Sequence, residues 1–328
     1  MTSDSTASSS QVTHTDVAGF ADKRVNLKRP DASKYRKQVR GVRDKITAFI
    51  TENPDYGLVK TMLSGSLEKG TALSDINDID LALYVKSDEA PQDEAELLYW
   101  LAERLSKAYP QKDDRDFEPQ THVVRISFKG TGLDVDVAPV HYEGDPEDRG
   151  YLVDRYSGKR VLTSIPLHLE FIRKRKGVHG LHYAQVVRLL KWWVKQLKQA
   201  DGSFRMKSFL TELLLAHIAD GGADLSDYPT ALESFYTYVV TSGLEQRIAF
   251  KDHYAASKLP PPTGSAIEVF DPVNPENNVA DGYGVADRTK IVTAAEDALD
   301  ALAEARYATT KSRALDCWRR ILGPGFGR

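Results

Sequence analysis

Asp78-Ile79-Asp80-Leu81-Ala82-Leu83-Tyr84-Val85 is the stretch that decides the fold. Side chains along a β-strand alternate between its two faces. Ile79, Leu81, Leu83 and Val85 therefore form one apolar face, and Asp78, Asp80 and Tyr84 share the other. Leu133-Asp134-Val135-Asp136-Val137 repeats the pattern and puts Asp134 and Asp136 together. Two such strands side by side bring up to four carboxylates into one place. Like charges that close repel unless something neutralises them. Hard divalent cations with oxygen ligands do so, and Mg²⁺ typically takes one or two carboxylates plus substrate phosphates. One Asp-x-Asp strand alone reads more readily as a solvated acidic face. The pair, with the turn upstream of it, reverses those odds.

That turn is Ser64-Gly65-Ser66-Leu67-Glu68-Lys69-Gly70-Thr71, directly after the strand-like run Leu58–Leu63. Glycine lets backbone approach a phosphate closely, and a helix start offers N–H groups and a favourable dipole end. Ser66 adds a hydroxyl donor. Tyr84, on the carboxylate face, borders a base pocket or packs in the core.

Working outward, a first helix is expected over about Ala32–Ile50, where Tyr35, Val39, Val42, Ile46 and Ile50 follow helical spacing. Further strands are expected over His122–Phe128 and Leu133–Val140, with a charged helix over about Glu94–Tyr109. This is a mixed α/β lobe. From Pro166 the pattern turns helical. Tyr183, Val186, Val187, Leu190, Trp193, Val194 and Leu197 form one stripe, and helices follow over Ser208–Ala219, Ala231–Val240, Ala286–Ala305 and Ser312–Leu322. The expected organisation is a mobile polar tail over 1–16, a catalytic lobe over 17–165 that includes the first helix, and a helical lobe over 166–328, with the active site in the cleft between the lobes.

The chain of 328 residues suits two lobes. Its net charge of −3 does not announce a nucleic-acid partner, so any basic surface is local. A single cysteine, Cys317, excludes a disulfide framework and a multi-cysteine zinc site. No apolar run is long enough to cross a membrane, and the N-terminus lacks the apolar core of a signal peptide. A cytoplasmic location is expected.

Gly65-Ser66, Asp78-Ile79-Asp80 and Asp136-Val137-Ala138-Pro139 together resemble the DNA polymerase β-type nucleotidyltransferase signature. Val187-Arg188-Leu189-Leu190-Lys191-Trp192-Trp193 and Asp271-Pro272-Val273-Asn274-Pro275-Glu276-Asn277-Asn278-Val279-Ala280 resemble segments of 2′-5′-oligoadenylate synthases. Over about residues 17–325 the chain looks like a bacterial cGAS/DncV-like nucleotidyltransferase of an anti-phage (CBASS) system, closest to the branch that makes cyclic tri-adenylate and pairs with HORMA-domain proteins. The resemblance implies ATP as substrate and a HORMA activator as partner. It implies two Mg²⁺ ions, or Mn²⁺, on the catalytic residues Asp78, Asp80 and Asp136. Phosphoryl transfer would then run by a two-metal mechanism. It assigns Gly65, Ser66, Lys191, Lys207 and Ser208 to the nucleotide triphosphate and places Asn278 near the nucleotide pocket. Asp136 is favoured over Asp134 because Asp-x-x-Pro follows it. A spacing argument supports the choice: residues two apart on a strand differ by about 6.6 Å, more than the roughly 4 Å between two metals.

Between Leu167 and Leu213 basic residues outnumber acids, and Arg188, Lys191, Lys195 and Lys198 line one helical face. Arg173–Lys176 is a candidate contact for polyphosphate or duplex DNA, or simply a solvated run. His179 and His182 have helical spacing but no third ligand, so zinc is not expected. Trp192 and Trp193 read as packing residues. Three alternatives remain open. They are an RNA-terminal transferase, a small-molecule nucleotidylyltransferase, and a catalytically dead scaffold that binds nucleotide or a partner protein.

Overall fold

The computed structural model describes the chain except residues 1–10, 77, 121, 131, 133 and 154–159. At its centre lie two parallel strands, β2 (Asp78–Lys86) and β5 (Asp134–Tyr142). Strand β1 (Leu58–Leu63) flanks β2, and β4 (Val124–Ile126) with β3 (Phe117–Pro119) continue beyond β5, all antiparallel. A hairpin of β6 (Gly150–Val153) and β7 (Arg160–Thr163) pairs with the end of β5. The expected long strand over His122–Phe128 is thus three residues, and β3, β6 and β7 had not been expected. All three are short, and none has a long alternating pattern. The expected start of β5 at Leu133 falls outside the described residues.

One face of this sheet is dry. Ile79, Leu81, Leu83 and Val85 are all buried. Leu81, Leu83 and Val85 pack under α2 (Arg29–Glu52) and α4 (Glu94–Ala108), which contribute Val42, Ile46, Leu97, Leu101 and Leu105. Each fully buried aliphatic side chain contributes roughly 1.5–3 kcal/mol, enough to fix the strand register against a one-residue slip. The other face divides along its length. At the far end Ala82, Tyr84 and Val140 form a small apolar cluster with Ile165. At the near end the same face carries the carboxylates and, from β4, Arg125. Tyr84 is fully buried, packs edge-on against Tyr142 and donates its hydroxyl to the Asp148 carbonyl. It is a core residue and does not border an open base pocket.

The second lobe is helical: α5 (Ile165–His179), α6 (Leu181–Ala200), α7 (Ser208–Asp220), α8 (Tyr228–Ser242), α9 (Val285–Arg306) and α10 (Lys311–Leu322). Trp193 is buried against Phe235 and Tyr236, and the Trp192 indole donates to the Leu322 carbonyl, so both tryptophans pack the lobe.

The N-terminal boundary differs from expectation. Helix α1 (His14–Phe20) begins inside the segment read as a tail, with Thr13 and Asp16 forming a capping box. Asp16 also pairs with Lys311 of α10. Val17, Phe20, Ala21 and Val25 are buried in the helical-lobe core, where Phe20 meets Trp192 and Phe326. The polar composition of 1–16 hid Thr13 and Asp16, which cap and dock a helix. Residues 1–10 of the expected tail lie outside the described residues. No helix among the described residues is long and apolar enough to cross a membrane.

Candidate active site

The carboxylates come together as strand periodicity required. β2 and β5 run in register with Asp78 opposite Asp134 and Asp80 opposite Asp136. Burial, then the nearby charge of Asp136, raises the Asp78 carboxyl above its ordinary value, although Arg125 opposes the shift. Burial, then Asp78 and Asp136, raises Asp80 in the same direction. Both groups therefore sit where an added positive charge is favourable.

One such charge was not foreseen. Arg125, in the middle of β4, lies opposite Asp136 in the sheet. Its Nε and Nη2 each donate to a different oxygen of Asp136, both at 2.8 Å. Nη2 is 3.6 Å from Asp78, and Nε is 4.0 Å from Asp134. A sequence signal existed: Val124 and Ile126 are both buried, so alternation puts Arg125 on the carboxylate face. What was missing was the knowledge that β4 adjoins β5.

Asp80 has different partners. Its carboxylate accepts the Ser66 backbone N–H. It lies so close to Gly65 that a Cβ built there would be 1.6 Å from its Oδ2. Gly65 also has φ +69°, the left-handed region. Gly65-Ser66 opens the short helix α3 (Gly65–Lys69), and its immediate work is to seat Asp80.

The end of the same loop is held by the helical lobe. Three successive carbonyls each accept from a different cation. Lys176 reaches Lys69, Arg188 reaches Gly70, and Lys191 reaches Thr71 at 2.9 Å. Beneath them Glu212 of α7, almost fully buried, pairs with Lys69 at 2.9 Å and accepts from the Thr71 hydroxyl. Burial lowers the Lys191 ammonium, an effect opposed by Glu212 and Asp80. Lys191 is thus tied to the loop that carries Gly65 and Ser66, and the charge of Asp80 reaches it. Lys69 and Glu212 were missed because their pairing spans 143 positions.

The remaining expected site residues differ. Lys207 and Ser208 are exposed at the start of α7, and the Lys207 N–H donates to the Tyr283 hydroxyl. Asn278 is bonded within its own segment. Its amide donates to the Ile267 carbonyl, and its oxygen accepts from Val269 and Ala280. These bonds tie its own loop and leave one amide N–H uncommitted. The same segment is anchored by the buried pair Asp271–His168 at 2.8 Å and by Asn274, which donates to the β7 carbonyl of Leu162. The basic run 173–176 is also largely consumed. Arg175 is buried against Asp220 and Asp252, Lys174 pairs with Asp252, and Lys176 grips the loop.

Among the described residues no three His, Cys, Asp or Glu side chains are placed to hold a metal ion by themselves. The donor chemistry nonetheless fits a hard divalent cation that completes its shell with phosphate. The oxygens are carboxylate, half-buried and mutually repelling, and they lie on one sheet face.

No family model matches the chain. Curated relatives do, among them two Escherichia coli proteins. Cyclic AMP-AMP-AMP synthase of Escherichia coli (strain MS 115-1) is 44% identical over 97% of this chain and 99% of the relative. CBASS oligonucleotide cyclase CdnC of Escherichia coli (strain KTE188) is 27% identical over 96% of this chain and 98% of the relative. Among solved structures, E. coli MS115-1 CdnC with ATP superposes with a TM-score of 0.93 at 44% identity, covering 97% of this chain and 99% of that one. The same protein in complex with HORMA-deltaN also gives 0.93, covering 98% of this chain and 100% of that one. Vibrio cholerae DncV, at 14% identity and a TM-score of 0.67 over 97% of each chain, shares the fold. Residue geometry, lobe architecture and near-full-length identity agree: the chain belongs to the CBASS oligonucleotide cyclases, bacterial cGAS/DncV-like nucleotidyltransferases.

Proposed function

We propose that this enzyme joins ATP into a cyclic oligonucleotide, cyclic tri-adenylate, as the messenger of an anti-phage response in the cytoplasm. The observation that carries the reading is the in-register pairing of Asp78 and Asp80 with Asp134 and Asp136 beside the Gly65-Ser66 loop. It occurs in a chain 44% identical, almost end to end, to a cyclic AMP-AMP-AMP synthase. Asp78, Asp80 and Asp136 hold divalent ions, Mg²⁺ or Mn²⁺. When bound, such ions neutralise charge on the α-phosphate and make an acceptor ribose hydroxyl easier to deprotonate. The chain itself supplies position. Ser66, Lys191, Lys207 and Ser208 face the triphosphate, and the Lys69–Glu212 pair and the three loop-gripping cations keep the cleft in one geometry. The two lobes contribute to one site, with the segment from Val17 to Val25 packed into the helical lobe.

The test is incubation of the purified protein with ATP and Mg²⁺, followed by mass spectrometry. Cyclic tri-adenylate is expected. A dinucleotide or a pyrimidine-containing main product would refute the product assignment. A CdnC relative was solved with HORMA-deltaN, and a HORMA-type activator is proposed here too. Turnover should rise when that partner is added, and full activity of the isolated chain with no gain would remove it.

A duplex DNA site is also proposed, but not on 173–176. Helix α2 carries Arg29, Lys34, Arg36, Lys37 and Arg40 on its exposed side. With Arg188 it borders a groove of about 1030 Å³.

A further inference from the structure

We propose that Arg125 is a built-in counterion that competes with divalent metal for the carboxylate cluster, so that metal enters only together with the nucleotide. The proposal rests on the reading above that Asp78, Asp80 and Asp136 hold the metal. Its own evidence is geometric. The guanidinium lies within 4.0 Å of three carboxylates at once and makes two 2.8 Å hydrogen bonds to Asp136. A bidentate pair of this kind is charge-assisted and directional. It engages both Asp136 oxygens and reaches to 3.6 Å from Asp78. An ion coordinated by Asp136 and Asp78 would need contacts near 2.0–2.1 Å to their oxygens. The guanidinium fills that space, so the two occupants exclude each other.

Backbone placement makes Arg125 a fixed competitor rather than a passing one. It sits in the central residue of β4, between two fully buried apolar side chains, directly across from Asp136. Its only retreat is a rotation of the side chain toward the open side of the cleft, where about a third of it is already exposed. A nucleotide triphosphate supplies what that retreat needs. Its phosphates add negative charge for the entering ion and offer the guanidinium a second bidentate anion. In the free enzyme the same arginine offsets the repulsion among the carboxylates. Metal loading and nucleotide loading are thereby coupled through one side chain.

The experiment measures Mn²⁺ binding to the full chain by electron paramagnetic resonance, without nucleotide. Wild type should bind weakly. Arg125→Gln should bind at least tenfold more tightly, about 1.4 kcal/mol. Arg125→Lys, which keeps the charge but loses the fork, should fall between them. Asp78→Asn with Asp80→Asn should abolish the gain. A melting series guards against misfolding. In EDTA Arg125→Gln should melt below wild type, and Mn²⁺ should raise it by more than it raises wild type. Unchanged or weaker Mn²⁺ binding in Arg125→Gln, while the double Asp variant still removes binding, would overturn the competition alone. Mn²⁺ binding that ignores Asp78 and Asp80 would overturn the metal reading itself, and this proposal with it.

Discussion

A methyl group on Gly65 would overlap the carboxylate of Asp80, and its backbone would have to hold φ +69° with a side chain attached. Left-handed backbone costs a non-glycine residue of order 1–3 kcal/mol. The collision adds a displacement of Asp80 from its seat on Ser66. Misplacement of a reacting group by about 1 Å can cost roughly 100-fold in rate. Gly65→Ala should therefore lose at least that much product formation while circular dichroism still reports a folded chain, and activity within threefold of wild type would contradict the seating role. Asp80 itself gives a pH signature. Its carboxyl is raised by burial and by two neighbouring acids. The folded state therefore holds its proton more tightly than the unfolded one, and ionisation works against folding. That penalty begins above the unfolded value of 3.8 and is complete once pH passes the raised folded value. Asp80→Asn should then raise the melting temperature in EDTA at pH 7, with the gain shrinking to nothing below pH 3.8; a gain independent of pH would rule this origin out. The choice between Asp136 and Asp134 needs a different argument from spacing, because Asp78 and Asp80 are also two apart on a strand. Burial separates them: the Asp136 side chain is 12% exposed and held by two hydrogen bonds, whereas that of Asp134 is 34% exposed and touched only at 4.0 Å. With saturating Mg²⁺, Asp136→Asn should lose most of the rate and Asp134→Asn little. The opposite ranking would reassign the third carboxylate.

At the scale of elements, helix α1 changes what a truncation should do. Removing residues 1–16 deletes the Thr13–Asp16 capping box and the Asp16–Lys311 pair. An N-cap contributes about 1 kcal/mol, and the exposed pair adds little. Urea melts of the truncated chain, which also loses the first three residues of α1, should show a loss of about 1–2 kcal/mol, while an unchanged midpoint would mean that the start of α1 adds nothing to stability. The same helix shows where sequence reading stops. The core of β2 and β5 was legible because every second residue is apolar and the intervening ones are acidic. Helices α6 to α10 were legible because each carries a stripe on one face or stays apolar throughout. Strands β3, β6 and β7 were not, because three or four residues carry no measurable period. Thr13 and Asp16 were not, because serine, threonine and aspartate serve equally in a solvated tail and in a cap. Arg125 stood in plain sight, flanked by Val124 and Ile126, and became interpretable only when sheet order placed β4 beside β5. Asn278 is the opposite case: matching a motif gave its position, and its three hydrogen bonds, which tie its own loop, were not legible in the sequence.

For the whole molecule, a net charge of −3 conceals a strong separation of sign. From Lys28 to Lys45 there are eight basic residues, Lys28, Arg29, Lys34, Arg36, Lys37, Arg40, Arg43 and Lys45, against only Asp31 and Asp44. Helical geometry keeps them outward, because Val39, Val42 and Ile46 occupy the buried side of α2. The carboxylates, by contrast, lie on the β2–β5 face that α2 does not cover. A polyanion on α2 would therefore add no negative charge directly to the catalytic cluster. It would still touch the machinery mechanically, since Arg188 borders the basic groove and also grips the Gly70 carbonyl of the Gly65-Ser66 loop. Binding through such a surface is chiefly counterion release, and its logarithm falls with log salt by about 0.9 per phosphate neutralised. Arg36→Glu with Arg40→Glu should weaken duplex binding regardless of sequence and flatten that slope by roughly two contacts, with melting temperature unchanged because both side chains are exposed. Lys174→Glu should do the reverse, lowering stability through its buried partner Asp252 while leaving the salt slope alone. Fluorescence anisotropy of a labelled duplex across a salt series reads both variants. A slope that follows Lys174 rather than Arg36 and Arg40 would return the nucleic-acid surface to the helical lobe, and no duplex binding by wild type at low salt would remove it from the enzyme altogether.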